Sequence, residues 1–189
     1  METYFVNNLP KDYYNENIAD AAKFLGVKPQ DIVSIKLRPL RNEKGQFLNA
    51  YTSGWEYEAF DKFLKKDKTF QKVEISHNKT DVITESGEHV LYAKHESGVE
   101  FIVVASLLLS SMDVFTTVGQ FIFFFLDHFY KQKKKSESSG TSIKMAMEER
   151  KFNKKVTVKK ILEITNSNFS QNQLSKIARE FFGEKKPKV

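Results

Sequence analysis

The side chains that could do chemistry in this chain are few, and their spacing matches no catalytic motif. The histidines His77, His89, His95 and His128 are irregularly spaced, and none forms the His-Glu-x-x-His pattern that places two imidazoles on one helical face. There is no cysteine, which excludes disulfides, thiolate nucleophiles and cysteine-ligated metals. The sequence also lacks a glycine-rich phosphate loop and a nucleophile elbow. We therefore predict a non-enzymatic protein with no catalytic residues, metal site or cofactor.

Asp113 is the most informative polar residue, because it lies inside the most apolar stretch of the chain. That stretch, Phe101 to Phe129, reads FIVVASLLLSSMDVFTTVGQFIFFFLDHF. Because three or four residues make about one helical turn, polar residues repeating every seven positions would form one narrow stripe: Ser106, Asp113, Gln120 and Asp127. Two interpretations of Asp113 fit: a buried carboxylate that sets helix register, or a residue facing water.

The rest of the predicted helix, about residues 98–132, is apolar over most of its circumference. A surface helix normally carries one apolar stripe, so we expect this helix to be covered by association. The predicted interaction residues are Leu107, Leu108, Met112, Phe115, Phe121 and Phe125. The spacing of Ser97 and Glu100 is that of a capping box. We therefore expect Glu100 to cap the helix and His95, just before it, to lie at the surface.

Either protein or membrane could cover the helix. Phe101 to Leu126 is long enough for a membrane span, which needs about 20 apolar residues, and the lysines that follow favour a cytoplasmic C-terminal side. The first residues, however, lack the basic region and apolar core of a signal peptide. We expect a cytoplasmic homo-oligomer or a complex with another protein. Association with the inner membrane is the alternative.

The positive charge of the chain is concentrated late in the sequence. The net charge is +6, and the segment from Lys131 to Lys160 holds eleven Lys or Arg. Lysine dominates there, whereas arginine is the usual residue for specific phosphate and base contacts. A solvated surface is the simplest interpretation, with anionic lipid or nucleic acid as alternatives, and nucleic acid is the less favoured partner.

The elements flanking the helix predict an α+β protein. Residues 1–96 contain a βαββαβ order typical of ferredoxin-like folds, followed by a hairpin over residues 77–96. Its strands are predicted at 3–7, 31–37, 46–52 and 70–75, and its helices at 12–25 and from Ser53 through Leu64. The long helix occupies 97–134 and a polar linker 135–141. The last segment, 142–189, has a second hairpin and an amphipathic helix beginning near Ser170.

The first predicted strand resembles the first signature of the RNA-recognition motif. Phe5, Val6, Asn8 and Leu9 match that signature, and the element order agrees over about residues 3–76. The resemblance implies that Phe5 stacks on a base. Lys44 and Gly45 match the start of the second signature, but Gln46 and Leu48 take its stacking positions. Phe47 could serve only with a shifted register. The implied RNA contacts are Phe5, Lys44 and Phe47.

A second resemblance covers about residues 88–182. The segment HVLYAKHESGVEF, His89 to Phe101, leads into the hydrophobic stretch. It resembles a small bacterial family of accessory proteins that are encoded near conflict or defence effectors and carry a constant adaptor domain. This resemblance implies a protein that couples or anchors an effector. We therefore favour an assembly or adaptor protein. The alternatives are a membrane-inserting effector with a polar helical seam and an RNA-binding module.

Overall fold

The structure is a computed structural model that describes residues 11–39, 57–76, 78–95, 98–135 and 143–164. The helices of this part of the chain are α1 (Lys11–Leu25), α2 (Tyr57–Lys66), α3 (Ala105–Ser110) and α4 (Met112–Lys135). Its strands are β1 (Ile32–Pro39), β2 (Gln71–Ser76), β3 (Lys79–Ile83), β4 (His89–His95), β5 (Gly98–Val104), β6 (Ile143–Lys151) and β7 (Thr157–Ile164). A 3-10 turn, Pro29–Asp31, leads from α1 into β1.

The described strands form one antiparallel sheet in the order β2-β3-β4-β5-β1-β6-β7. Strands β2 to β5 pair in chain order, and β6 pairs with β7. Strand β1 lies between these two groups, so its neighbours come from much later in the chain. Its residue Lys36 is opposite Glu100 of β5 on one side and Glu148 of β6 on the other.

Helices α2 and α4 cover one face of this sheet, which we call the aromatic face. Phe60 of α2 is central, with its ring centroid 5.0 Å from that of Tyr92 on β4 and 4.9 Å from that of Phe125 on α4. Helix α4 places residues on this face at intervals of three and four, as expected for one apolar stripe. Its fully buried members are Val114, Val118, Phe121, Ile122, Phe125 and Leu126.

Helix α1 covers part of the opposite face, which we call the α1 face. Its buried residues Tyr14, Ile18, Ala21 and Ala22 pack with Ile32, Leu91 and Ile102 of the sheet. Because successive side chains of a strand point to opposite faces, Ile32 and Ile102 lie on this face, whereas their neighbours Val33 and Phe101 join the aromatic core. The sheet is therefore a middle layer with helices on both sides.

The structure confirms a mixed α+β fold. The predicted helix 12–25 is α1, the predicted strand 31–37 is β1, and the helix predicted from Ser53 is α2. The predicted strand 70–75 is β2, and the two predicted hairpins are β3–β4 and β6–β7. The ferredoxin-like order is not confirmed, because β1 is flanked by β5 and β6. The predicted strands 3–7 and 46–52, the linker and the C-terminal helix fall outside the described residues. The predicted segments 1–96, 97–134 and 142–189 all contribute strands to the one sheet.

The prediction of one helix from residue 98 to 132 was wrong at its N-terminal end. Residues 98–104 form β5, and six of the seven are buried. A strand buried on both faces reads as a continuous apolar run without alternation, which is why the pattern was indistinguishable from that of a buried helix. Gly98 has φ +141°, and a Cβ there would lie 1.9 Å from the carbonyl oxygen of Leu37. This glycine therefore permits the close approach of β5 to β1.

The helical part of the apolar stretch is divided at Ser111. The Ser111 N–H donates to the carbonyl of Leu107 at 2.7 Å and ends α3. Its hydroxyl oxygen accepts from the Val114 N–H at 3.3 Å, the N-cap contact that starts α4. Ser111 thereby allows the chain to turn between the two helices, and this turn creates the exposed apolar corner described below.

Candidate functional site

The predicted interaction residues are divided between the core and the surface. Phe121 and Phe125 are fully buried in the aromatic core, so they are not available to a partner in this structure. Leu107, Leu108 and Phe115 are half-buried. Met112, by contrast, is 73% exposed, and Leu109 beside it is 59% exposed. We call Leu108, Leu109 and Met112 the α3–α4 corner.

The predicted polar stripe lies on the outer side of α3 and α4. Ser106, Asp113 and Gln120 are exposed, and Asp127 is half-buried. The carboxylate of Asp113 accepts the backbone N–H of Ser86 at 3.2 Å, from the turn between β3 and β4. Asp113 is therefore in the water-facing position, and the interpretation as a buried carboxylate does not fit this structure.

A second group of polar side chains was not expected from the sequence, and we call it the charged cluster. It lies on the α1 face, where β5, β1 and β6 run side by side. Lys36 is between Glu100 and Glu148, and Ser34 is opposite Arg150. Six residues form the cluster, each at most 6% exposed and each with an even number on its strand: Ser34, Lys36, Arg38, Glu100, Glu148 and Arg150.

Glu100 is the acceptor at one end of the charged cluster. The Ser34 hydroxyl donates to its Oε1, and His95 Nε2 lies 2.8 Å from its Oε2. The Ser34 hydroxyl thus donates its hydrogen bond to the carboxylate and not to the imidazole, whereas a nucleophilic serine donates to the histidine that activates it. The His95–Glu100 pair holds the end of β4 against β5. Together with Ser34 it does not have the arrangement of a catalytic triad.

Glu148 is the acceptor at the other end. Arg38 Nε donates to its Oε1, and Arg150 Nη2 donates to its Oε2 at 2.9 Å. The Arg150 guanidinium also lies 5.7 Å from the ring centroid of Tyr14 on α1. Two buried guanidinium nitrogens, Arg38 Nη2 and Arg150 Nε, have no hydrogen-bond partner among the described residues. Each arginine therefore uses only part of its fork of donors on the shared carboxylate.

Burial shifts the pKa values in this cluster. The pKa of Lys36 is lowered from 10.5 to about 8, first by burial and then by the charge of Arg150. Burial alone would raise the pKa of Glu100, but the hydrogen bond and charge of His95, the charge of Arg150 and the Ser34 hydroxyl lower it to about 2. Glu100 is therefore a stable anion at neutral pH.

The aromatic face has one smaller polar group around Asp61. Its carboxylate accepts from the Tyr92 hydroxyl at 2.6 Å, from Lys94 Nζ at 3.2 Å and from Lys72 Nζ at 3.3 Å. Burial opposes ionisation, but these three hydrogen bonds and the Lys94 charge lower the pKa of Asp61. This network ties α2 to the sheet, with a hydrogen bond at each oxygen of the Asp61 carboxylate.

The remaining candidate features are the RNA contacts, a metal site and a membrane span. The three RNA contacts, Phe5, Lys44 and Phe47, are not among the described residues. Within the described ranges no three His, Asp or Glu side chains are grouped closely enough to hold a metal ion. The helices in the same ranges are all too short or too polar to cross a membrane.

The predicted positions of Glu100, a member of the charged cluster, and of His95, which contacts Glu100, were wrong. Glu100 was expected to cap a helix, but it lies within β5 and is fully buried. His95 was expected at the surface, but only 11% of its side chain is exposed. The available signal was the alternation Ser34, Lys36, Arg38 on β1, which we would normally assign to a face in water. These β1 side chains are buried, and charged residues of β5 and β6 lie next to them and pair with them.

Comparison of the chain with protein-family models, with curated proteins and with solved structures found no match.

Proposed function

We propose that this protein is a non-enzymatic assembly module that associates with a second copy of itself through the α3–α4 corner. The observation that carries the proposal is the exposure of Met112 at 73% and of Leu109 at 59%. The half-buried Leu107, Leu108 and Phe115 lie next to them in the chain. An exposed apolar centre within a polar rim is the usual anatomy of a protein interface.

The charge distribution favours a second copy over another kind of partner. The chain carries a net charge of +6, yet residues 105–126 contain no Lys or Arg and one acidic residue, Asp113. Two copies can therefore meet at this corner without the repulsion that lysine-rich surfaces would cause. Ser106 and Ser110 beside Leu109 add neutral polar groups to the rim. This arrangement also limits contact with anionic lipid, which requires basic residues beside the apolar ones.

Two further features support an assembly role. The predicted likeness of residues 88–182 to bacterial accessory proteins of conflict or defence systems, which is based on the sequence HVLYAKHESGVEF, would imply a role as an adaptor for an effector. The absence of cysteine is compatible with a cytoplasmic setting, where disulfides are rare. On this proposal, self-association through the corner would present several copies of the chain to one effector.

Light scattering coupled to size-exclusion chromatography tests the proposal. We expect the wild-type chain to have at least twice the mass of a monomer in buffer without detergent. The double variant Leu109→Glu/Met112→Glu should be monomeric, because it buries two carboxylates at the interface. The variant monomer should remain folded, since exposed substitutions change the free energy of unfolding by about 0.5 kcal/mol or less, and a lower urea midpoint than that of the wild type should reflect only the lost association.

Phe24→Glu is the matched control, because Phe24 is an exposed apolar residue, 49% exposed, on a different helix. Its mass should equal that of the wild type. A wild-type chain that remains monomeric at every concentration would overturn the proposal. An oligomer that is dissociated by Phe24→Glu but not by the corner variant would assign the interface to α1 and would also contradict it.

A further inference from the structure

We propose that the charged cluster binds an oxyanion of the phosphate class between Arg38 and Arg150. Two guanidinium donors, Arg38 Nη2 and Arg150 Nε, have no partner within the part of the chain that the structure describes. Buried polar groups in folded proteins almost always have a hydrogen-bond partner, so two orphan donors on adjacent strands require an explanation. Both belong to residues that are more than nine-tenths buried.

The position of these donors is determined by the carboxylate that both arginines share. Arg38 contacts Oε1 of Glu148 through Nε, and Arg150 contacts Oε2 through Nη2. Each guanidinium is therefore held in place by an ion pair and still has an unused donor. Tyr14 further restrains Arg150, since its ring centroid is 5.7 Å from the guanidinium carbon. A fixed guanidinium fork is the geometry that recognises phosphate oxygens.

The charges of the described cluster also favour an anion. Lys36, Arg38 and Arg150 are three cations, and the buried carboxylates beside them are Glu100 and Glu148. Each oxygen of both carboxylates already has a hydrogen-bond partner, and among the described residues neither carboxylate is bonded to the two remaining guanidinium nitrogens. Buried charge is stabilised when it is paired, and a phosphate group would supply the missing negative charge and several acceptor oxygens.

The two arginine side chains are not completely enclosed, although their unpaired nitrogens are buried. The Arg38 side chain is 8% exposed and the Arg150 side chain 5% exposed. The unfavourable neighbour is Glu148, whose charge would repel an incoming anion. Because that carboxylate is bound by both guanidinium groups, their positive charges largely cancel its repulsion of an anion. A ligand with two negative charges and tetrahedral oxygens suits this setting better than chloride, which has one charge and no oxygen acceptors.

The test is a calorimetric titration of inorganic phosphate into the purified full chain, with sodium chloride at equal ionic strength as reference. We expect saturable binding of one phosphate per chain and a melting temperature that is higher in phosphate than in chloride. The double variant Arg38→Lys/Arg150→Lys keeps both charges but has no fork, and its affinity should fall at least tenfold. Lys62→Met is the control, because Lys62 is an exposed cation on α2, and its affinity should not change.

Two results would overturn the proposal: equal melting temperatures of the wild type in phosphate and chloride, or unchanged phosphate affinity in the lysine double variant. If the double variant does not fold, the single variants Arg38→Lys and Arg150→Lys provide the same measurement. Phosphoserine in place of inorganic phosphate separates two sources of the ligand. Tighter binding of phosphoserine supports a phosphoryl group on a larger molecule, and tighter binding of inorganic phosphate supports the free ion.

Discussion

Both faces of the central sheet are buried, but different interactions stabilise them: aromatic packing on one face, and both apolar packing and charged pairs on the other. On the aromatic face, Phe60 contacts Phe121, Phe124 and Phe125 of α4, and Tyr92 of the sheet. On the α1 face, the sheet is lined by Ile32 and Ile102 near α1, but by charged pairs around Glu100 and Glu148 beyond them. Apolar burial is roughly proportional to area and has no direction. The charged face depends on every partner being present.

Substitution at the centre of the aromatic face should have the largest effect. Phe60→Ala removes a fully buried ring that contacts five others, and we expect the free energy of unfolding to fall by about 3–5 kcal/mol. Urea unfolding followed by circular dichroism measures it. Phe24→Ala on the exposed side of α1 is the control. A loss smaller than about 1 kcal/mol for Phe60→Ala would show that the aromatic face is not the main source of stability.

The charged face should be nearly as sensitive to loss of one partner. Glu148→Gln leaves Arg38 and Arg150 buried without their carboxylate, and we expect a loss of about 3 kcal/mol. Glu58→Gln, in an exposed pair with Lys62, should have almost no effect. The sharper variant replaces all three charges at once, with Arg38→Met, Glu148→Leu and Arg150→Met.

That triple variant should be as stable as the wild type or more stable, because apolar packing often equals or exceeds a buried ion network in free energy. It should also lose phosphate binding. If the triple variant is as unstable as Glu148→Gln, the comparison between the faces fails, since the charged side chains would then contribute more than their mutual pairing.

The pH dependence of stability separates the two faces further. Lys36 has a pKa of about 8 in the folded chain and a usual value of 10.5, so between these values the unfolded chain binds more protons. Stability therefore rises with pH in this window, by about 2 kcal/mol between pH 8 and pH 10. The raised pKa values of Tyr57 and Tyr92, caused mainly by burial, oppose this rise only at higher pH.

Lys36→Met should remove the rise, and urea unfolding of both proteins from pH 7 to pH 10 measures the difference. Contributions common to the two proteins cancel in this comparison. Parallel curves would mean that Lys36 does not lose its proton earlier in the folded chain than in the unfolded chain.

The smallest effect should come from the polar stripe. Asp113→Leu removes a hydrogen bond to the Ser86 N–H and an acidic side chain from the first turn of α4. Because such exposed contacts at helix starts contribute little, we expect a loss of no more than about 1 kcal/mol. The thermal melting midpoint is sufficient to measure it. A much larger loss would restore the interpretation of Asp113 as a buried partner.

The local elements of this fold could be predicted from the sequence, but the strand order could not. Periodicity identified α1 from Tyr14, Ile18 and Ala21, and alternation identified β1. Strand β5 was missed because Val99 to Val104 is buried on both faces and so shows no alternation. Its β-branched residues were the available sign. The position of β1 depends on pairing with distant strands, which local patterns do not encode.

The functional sites show the same contrast: the α3–α4 corner lies in a stretch that the sequence identified, whereas the charged cluster depends on strand order. The exposed Met112 and its polar surroundings lie within a stretch that the sequence identified, although Phe121 and Phe125 of that prediction are core residues. The charged cluster is formed by Lys36, Glu100 and Glu148, which are separated by 64 and 48 residues in the chain. Each is an ordinary charged residue until the register of three strands places them opposite one another.

The central place of β1 has a consequence for synthesis. One edge of this strand can pair only after β5 has been made, and the other only after β6 is complete at Lys151. A chain still emerging from the ribosome therefore carries an open edge in its middle, a condition that slows folding and favours wrong association. Truncated products ending before residue 143 should for this reason be strong substrates for chaperones.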